Sequence, residues 1–149
     1  MTGDGKPTAR ALDDLAAAFC AGKVPRAEWT HEAHLSVGAW HVHHHGPSEA
    51  LALLRARIRH LNERNGVANS ATGGYHETIT AAYVRLIAEF LEASTEPALE
   101  ARVAALLASP LAARQALFRY WSRGRLLSPE ARAAWLEPDL APLTWPPAA

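Results

Sequence analysis

The stretch YHETITAAYVRLIAEFLEA, residues 75–93, decides the fold class of this chain. Apolar side chains return at Ile79, Tyr83 and Ile87, every four residues, which is the spacing of one face of an α-helix. This is the longest and most apolar helical pattern in the sequence. We therefore predict a helix that begins near residue 75 or 76 and forms the centre of a helical bundle.

The sequence on both sides of this stretch repeats the helical pattern. We predict further helices over residues 9–21, 31–45, 49–65, 97–108, 111–122 and 131–136. Thr8, Thr30 and Ser48 stand where side chains cap the first turn of a helix, and Ser128 begins a similar start signal. Residues 67–74 are rich in Asn, Ser, Thr and Gly, which is typical of a mobile lid or of a long connection.

These patterns together define the fold class. No alternation typical of β-strands is present. The sequence predicts an all-α, single-domain helical bundle of about six to seven helices over residues 1–149. Residues 1–7 are expected to be frayed, and residues 137–149, which contain four prolines, are expected to lie extended across the bundle.

Composition excludes several classes of partner. Positive and negative side chains balance at 15 each, so the chain lacks the basic excess that binding to nucleic acid normally requires. The single cysteine excludes an intrachain disulfide. No signal peptide and no apolar run long enough to span a membrane is visible. We expect a cytoplasmic protein that binds neither nucleic acid nor membranes, with its oligomeric state left open.

The predicted second helix carries a stripe of histidines. The stripe consists of His31, His34, Gly38, His41 and His45. At 100° per residue these positions fall within about 80° of one another and border the apolar face, so we expect them to face a cleft. His31 and His34 are three residues apart, a spacing at which two imidazoles can bind one ion.

A third candidate ligand is His76, which opens the central helix on its interior face. His31 and His76 each lie in a first helical turn, where the helix dipole lowers the imidazole pKa and favours the neutral form that binds metals. Glu77 is a candidate general base acting on metal-bound water, or a fourth ligand. His31, His34 and His76 therefore form a candidate site for a divalent transition metal ion, Zn²⁺, Fe²⁺, Mn²⁺ or Ni²⁺.

Two alternatives to a metal site stay open for these histidines. They can cap helix ends and bond buried carbonyl groups, or they can form a metal-free acid–base or binding site. The segment HEAH at residues 31–34 is not the zinc-protease motif, whose histidines stand four apart, so a metalloprotease is excluded. His41 and His45 are expected either at a solvated helix end or on a stray transition ion.

Aromatic and cationic side chains supply candidates for substrate binding. Trp29 precedes the second helix and either walls the histidine cleft or packs as a hydrophobic staple at the helix entrance. Tyr75 and Tyr83 have the same two possible uses, as part of the cleft or as packing residues. Arg119 and Arg123 lie in an aromatic segment and can clamp the carboxylate or phosphate of a small substrate, or pair with surface acids.

Three phrases carry a resemblance to known proteins: WTHxxHL at 29–35, GYHET at 74–78 and SxxARxxWxEPDL at 128–140. Over most of its length the chain resembles a family of small α-helical bacterial proteins, and this resemblance brings no activity with it. More loosely, the chain is similar to the DinB-like metal-binding bundles, which hold one ion with three histidines between helices. This analogy implies a histidine-bound metal between the helices here.

Two functions follow from these expectations. The first is a small metal-dependent enzyme, a hydrolase or isomerase that acts on a small molecule at the histidine-rich site. The second is a non-catalytic helical protein that binds a small acidic or aromatic ligand in the same cleft. A structural or interaction protein is a third interpretation.

Overall fold

A computed structural model describes residues 9–147, which form seven α-helices and three short 3-10 turns and contain no β-strand. The helices are α1 (Ala9–Cys20), α2 (His31–His45), α3 (Pro47–Arg64), α4 (Glu77–Ala93), α5 (Leu99–Leu107), α6 (Arg123–Leu126) and α7 (Pro129–Ala133). The 3-10 turns are Arg26–Glu28, Pro110–Ala112 and Ala116–Arg119. The all-α bundle expected from the sequence is confirmed, whereas the cap expected at Thr8 and the fraying expected over residues 1–7 lie outside the described residues.

The centre of the bundle is α2, and not α4 as the sequence pattern suggested. α2 packs against α1, α3, α4 and α5. Its buried residues run without a break from Leu35 to Ala39, so they cover the whole circumference of the helix, as in a helix enclosed by its neighbours. A Cβ on Gly38 would lie 3.2 Å from Cδ1 of Ile87, which shows how closely α4 approaches. This contact places the middle of α2 against the C-terminal half of α4.

Side-chain caps set several helix boundaries. Oγ1 of Thr30 accepts a hydrogen bond from the backbone N–H of Ala33 at 3.2 Å, so Thr30 caps α2 as predicted. Ser128 caps α7 in the same way. Ser48 is not a cap, because α3 already begins at Pro47. Proline suits a first helical position, since it has no N–H to satisfy and its φ is already helical.

The helix predicted over residues 111–122 does not form. Two 3-10 turns occupy this segment, with extended backbone between them at Ala113, where φ is −70° and ψ is 137°. Leu111 and Leu117 are both buried, yet on one continuous helix they would point about 120° apart. The break lets both side chains reach the core, so the segment wraps around the bundle and forms a wall against α2 and α4.

The C-terminal segment lies across the bundle without helix, as the prolines predicted. Leu143 is buried, and the ring of Trp145 lies 5.8 Å from that of Phe90 in α4. The backbone N–H of Trp145 also donates to the carboxylate of Glu89 at 2.7 Å. Within residues 9–147, no helix combines the length and apolar character needed to cross a membrane.

Candidate functional site

A pocket of about 460 Å³ opens between α2, α4 and the wall formed by residues 110–127, and we call it the α2–α4 pocket. Its apolar lining includes Leu35, Ile58, Ile79, Ile87, Leu117 and Leu126. Its polar lining consists of Thr30, His31, His34, Thr80, Tyr83 and Arg114. The size and the mainly apolar lining are typical of sites for small molecules. The cleft expected beside the histidine stripe is therefore present, and His31 and His34 both face it.

His34 is held at the pocket as a neutral base. Its Nδ1 lies 2.7 Å from the carbonyl oxygen of Thr30, and since a carbonyl can only accept, we assign the proton to Nδ1 and the lone pair to Nε2. The ring packs on Trp29 with centroids 3.8 Å apart. Although the residue is exposed at the pocket mouth, the surrounding protein desolvates the ring and lowers its pKa. Nε2 makes no hydrogen bond with a described residue and can accept one from a ligand.

His31 lies deeper, with its ring edge against the ring of Tyr83 at a centroid distance of 5.7 Å. Burial and then the charge of Arg114 lower its pKa, against opposing effects of the Leu111 carbonyl and the Glu32 carboxylate. The sequence predicted this direction correctly, but the main cause is burial and not the helix dipole. Nε2 is the one buried side-chain polar atom without a hydrogen-bond partner within residues 9–147. Such an atom costs about 1–3 kcal/mol, so it needs an explanation in a native structure.

Tyr83 and Arg114 complete the polar lining. Burial raises the pKa of Tyr83 to about 12, so its hydroxyl stays protonated and can donate a hydrogen bond. Neither the Tyr83 hydroxyl nor the Arg114 guanidinium is bonded to a described residue. No Asp or Glu occurs among the described residues that line this pocket, so Arg114 is its one charged side chain when the histidines are neutral. Sequence reasoning found Tyr83 but missed Arg114, which lay in the helix predicted over residues 111–122.

A second cavity of about 460 Å³ adjoins the first one at Trp29 and His34. It is more polar, with Asn62 and Asn65 in its lining, and its one lining arginine is Arg26. Among its described lining residues there is again no Asp or Glu. The histidine cleft thus has an apolar part and a polar part, separated by the packed rings of Trp29 and His34.

His76 serves as a helix cap. Its Nδ1 accepts a hydrogen bond from the backbone N–H of Ile79 at 3.1 Å, and its Nε2 donates to the carbonyl oxygen of Leu126 at 2.8 Å. Both ring nitrogens are therefore used by the backbone, and they tie the first turn of α4 to α6. With these bonds in place the ring has no lone pair for a metal ion, which corresponds to the capping alternative weighed from the sequence.

The described residues do not assemble a metal centre around these histidines. Within residues 9–147, no three His, Cys, Asp or Glu side chains form a group able to hold a metal ion. A site made from His31, His34 and His76 requires the ring of His76 to leave both of its backbone partners. The histidine-bound metal ion therefore stays a prediction from the sequence.

Glu77 is engaged in an ion pair rather than directed into a cavity. Nε and Nη2 of Arg55 donate to its two oxygens at 2.9 and 2.7 Å, and the Tyr75 hydroxyl donates to Oε1 at 2.8 Å. The bonds from Arg55 are the main cause that lowers the pKa of Glu77, and a carboxylate with a lowered pKa is a weaker base. Glu77 lines neither cavity. The general-base role proposed from the sequence has no support in this geometry, and the residue instead joins α3 to α4.

The remaining binding candidates divide between the two cavities and the surface. Trp29 lines both cavities, and Tyr75 lines the second one. Arg119 and Arg123 are exposed and line neither. The guanidinium of Arg123 lies 5.2 Å from the ring centre of Phe118 and so covers that ring from outside. The clamp expected from these two arginines is not formed at either cavity.

His41 is buried, although the sequence placed it at a solvated helix end. Its ring is fully enclosed because α2 is central and Phe19 of α1 packs against it at 5.5 Å. Nδ1 donates to the Val37 carbonyl and Nε2 accepts from the Arg57 guanidinium, each at 2.8 Å. Burial lowers the pKa of His41 to about 4. Every hydrogen-bonding position of this ring is filled from within the chain, so His41 is a core residue.

No family model, no curated protein and no solved structure matches this chain. The resemblance to small bacterial helical proteins and to DinB-like bundles accordingly stays a prediction. The function of the chain has to be inferred from the geometry of the α2–α4 pocket.

Proposed function

We propose that this protein binds a small, largely apolar organic molecule in the α2–α4 pocket. One observation carries the proposal: an apolar cavity of about 460 Å³ is lined by Tyr83 and His34, whose hydroxyl and Nε2 have no partner among the described residues. Apolar walls with a few converging polar groups are the usual composition of a ligand site. At ~30 Å³ per water molecule the cavity corresponds to about 15 waters, so a molecule of about 15 heavy atoms fits.

The polar groups favour a molecule with a hydrogen-bond acceptor and a donor. The Tyr83 hydroxyl can donate to a carbonyl or carboxyl oxygen, and His34 can accept a hydrogen bond at Nε2. Each such bond contributes about 0.5–1.5 kcal/mol. The apolar walls add about 25 cal/mol for each Å² of apolar ligand surface that they remove from water. Affinity therefore comes mainly from the apolar body, and selection among ligands comes from the two polar groups.

The direct test is ligand screening by thermal shift, followed by calorimetric titration. The library contains aliphatic and aromatic molecules with a carbonyl or carboxyl group. A ligand at 100 times its dissociation constant stabilises the folded state by about 2.7 kcal/mol. For a domain of this length we expect the melting temperature to rise by about 5–10 °C.

A matched pair of variants shows whether the ligand enters this pocket. Leu127 is 46 % exposed and lines the pocket mouth, whereas Leu140 is 57 % exposed and lines neither cavity. We expect Leu127→Trp to obstruct the pocket and weaken binding about tenfold or more, and Leu140→Trp to leave binding unchanged. A library without a single stabilising compound, or equal weakening by both variants, would refute the proposal.

A second candidate function, metal-free acid–base catalysis on the bound molecule, is favoured by the geometry of His34. The Thr30 carbonyl orients the ring through Nδ1 and leaves Nε2 as a free base, while Tyr83 lines the same pocket as a proton donor. This combination suits removal of a proton next to a carbonyl group. The test is NMR detection of deuterium incorporation into a bound carbonyl compound in D₂O. We expect His34→Gln to abolish the exchange without abolishing binding, and the exposed control His44→Gln to retain it; equal exchange in both variants excludes catalysis by His34.

A further inference from the structure

The charged side chains that line the two cavities of the histidine cleft are both positive. Among the described residues, Arg114 is the only charged side chain that lines the α2–α4 pocket when the histidines are neutral, and Arg26 is the only one that lines the second cavity. Neither guanidinium forms an ion pair or a hydrogen bond with a described residue. On helix surfaces of the described chain, Arg55 and Arg85 by contrast form ion pairs with Glu77 and Glu89.

The field of Arg114 reaches the interior of the pocket. Its charge is the second largest cause that lowers the pKa of His31, after burial. The ring of Tyr83 also lies against His31, so Tyr83 and Arg114 share His31 as a neighbour in the pocket lining. A positive potential of this kind favours a negatively charged group in the pocket. The Glu32 carboxylate acts on His31 in the opposite sense, but less strongly than Arg114.

Given ligand binding in this pocket, which is the function proposed above, we propose that the ligand is an organic carboxylate. Its head group lies at the end of the pocket where Arg114 and Tyr83 lie, and it receives charge-assisted hydrogen bonds from the guanidinium and a hydrogen bond from the phenol hydroxyl. Its apolar body lies along the pocket between α2 and α4, toward Ile79 and Ile87. One guanidinium and one hydroxyl match the two oxygens of a single carboxylate.

The test compares acids with uncharged molecules of the same shape. Phenyl-substituted alkanoates of graded chain length are titrated calorimetrically beside their primary amides and the corresponding phosphonates, at low ionic strength and neutral pH. We expect the best carboxylate to bind about tenfold more tightly than its amide, because charge-assisted hydrogen bonds are about twice as strong as neutral ones. We expect added salt to reduce this preference, since Arg114 is exposed.

Two arginine variants locate the preference. Arg114→Gln is expected to bring the carboxylate down to the affinity of its amide, while circular dichroism shows an unchanged fold. Arg119→Gln is the control, because Arg119 is exposed on the same wall and lines neither cavity. This variant is expected to keep the full preference.

The possible results separate this inference from the proposed function. Equal affinity for acid and amide, or an undiminished preference in Arg114→Gln, overturns the carboxylate inference and leaves small-molecule binding intact. Tighter binding of the phosphonate than of the carboxylate also overturns it, in favour of a phosphate-type ligand. If no acid, amide or phosphonate binds and the wider library is silent as well, the proposed function fails together with the inference.

Discussion

Acidification is expected to destabilise this protein through His41. The ring is fully buried, and its Nε2 accepts a hydrogen bond from the Arg57 guanidinium at 2.8 Å. Protonation of Nε2 would remove that bond and place a second positive charge against the guanidinium. Burial is the largest of the causes that lower the pKa of His41 from its ordinary value of 6.5 to about 4.

The sign and the size of the effect follow from these two pKa values. Above pH 6.5 both the folded and the unfolded chain carry a neutral His41, so its contribution to stability is complete. Between pH 6.5 and about 4 only the unfolded chain binds the proton, and the free energy of unfolding falls by up to about 1.4 kcal/mol per pH unit as the pH falls. Below about pH 4 the folded state is protonated as well and the loss levels off. The full difference between the two pKa values corresponds to about 3 kcal/mol. Solvent screens the charge of the half-buried Arg57, so we expect a loss of about 2 kcal/mol.

Urea denaturation followed by circular dichroism between pH 7.5 and pH 4.5 measures this loss. The comparison protein is His41→Gln, whose side chain can bond the Val37 carbonyl and the Arg57 guanidinium but does not titrate. Other histidines with lowered pKa values, such as His31 and His76, act in the same direction and cancel in the comparison. We expect the wild type to lose about 2 kcal/mol more than the variant over this range. If the two stability curves run parallel within about 0.3 kcal/mol, the buried neutral state inferred for His41 is wrong.

Other substitutions test the contacts that build the site. His76→Ala is expected to lower the free energy of unfolding by about 3 kcal/mol, because a helix cap and a bond to a backbone carbonyl are lost. EDTA is expected to change the melting temperature of the wild type by less than about 1 °C, since the backbone already occupies both nitrogens of His76. Gly74→Ala places a Cβ 2.5 Å from a carbonyl oxygen of its own loop at a φ of +78°, so we expect a loss above about 2 kcal/mol in urea denaturation. Gly66→Ala, at a φ of +73° with open space around it, should lose only about 1 kcal/mol. Arg55→Met leaves the 13 % exposed side chain of Glu77 without its cationic partner and with only the Tyr75 hydroxyl bonded to it, so we expect a loss of about 2 kcal/mol, part of which returns when Glu77→Gln is added.

Each of these expectations has a contrary result. A melting temperature that falls with EDTA in the wild type but not in His76→Ala would identify His76 as a metal ligand rather than a cap. Equal losses for the two glycine variants would contradict the steric argument at Gly74. Strictly additive losses in the double-mutant cycle would show that Arg55 and Glu77 do not interact energetically.

The sequence predicted the long helices well because their patterns are local. Thr30 caps α2 where expected, and α4 begins within two residues of the predicted start. The helix predicted over residues 111–122 is wrong for a non-local reason. Its alanines favour a helix, but the observed break lets both Leu111 and Leu117 reach the core, and that core is formed by the surrounding helices.

The same distinction applies to the site. Placement of His34 in a cleft followed from the geometry of one rigid helix, which the sequence contains. The partners of His76 could not be predicted in this way, because Leu126 is 50 positions away in the chain and accepts the hydrogen bond through its backbone carbonyl. No sequence pattern pointed to Arg114. It reaches the pocket from the wall formed by residues 110–127, and the path of that wall depends on the break between the two 3-10 turns. Local periodicity thus gives the position of a side chain on its element, while the state of its hydrogen bonds depends on the whole fold.

Because hydrogen-bond partners depend on the whole fold, the candidate residues rank differently as ligand-binding groups in the structure than they did in the sequence. His41, His76 and Glu77 have the residue types most often found in catalytic and metal sites, yet each has its hydrogen-bonding capacity filled from within the chain. Tyr83 and Arg114 carry less distinctive chemistry, but their polar groups border an apolar cavity and have no partner in the described chain. A group whose capacity is filled contributes to folding, and a group whose capacity is free can bond a ligand. Substitutions in the first set should therefore change stability, and substitutions in the second set should change binding at nearly constant stability.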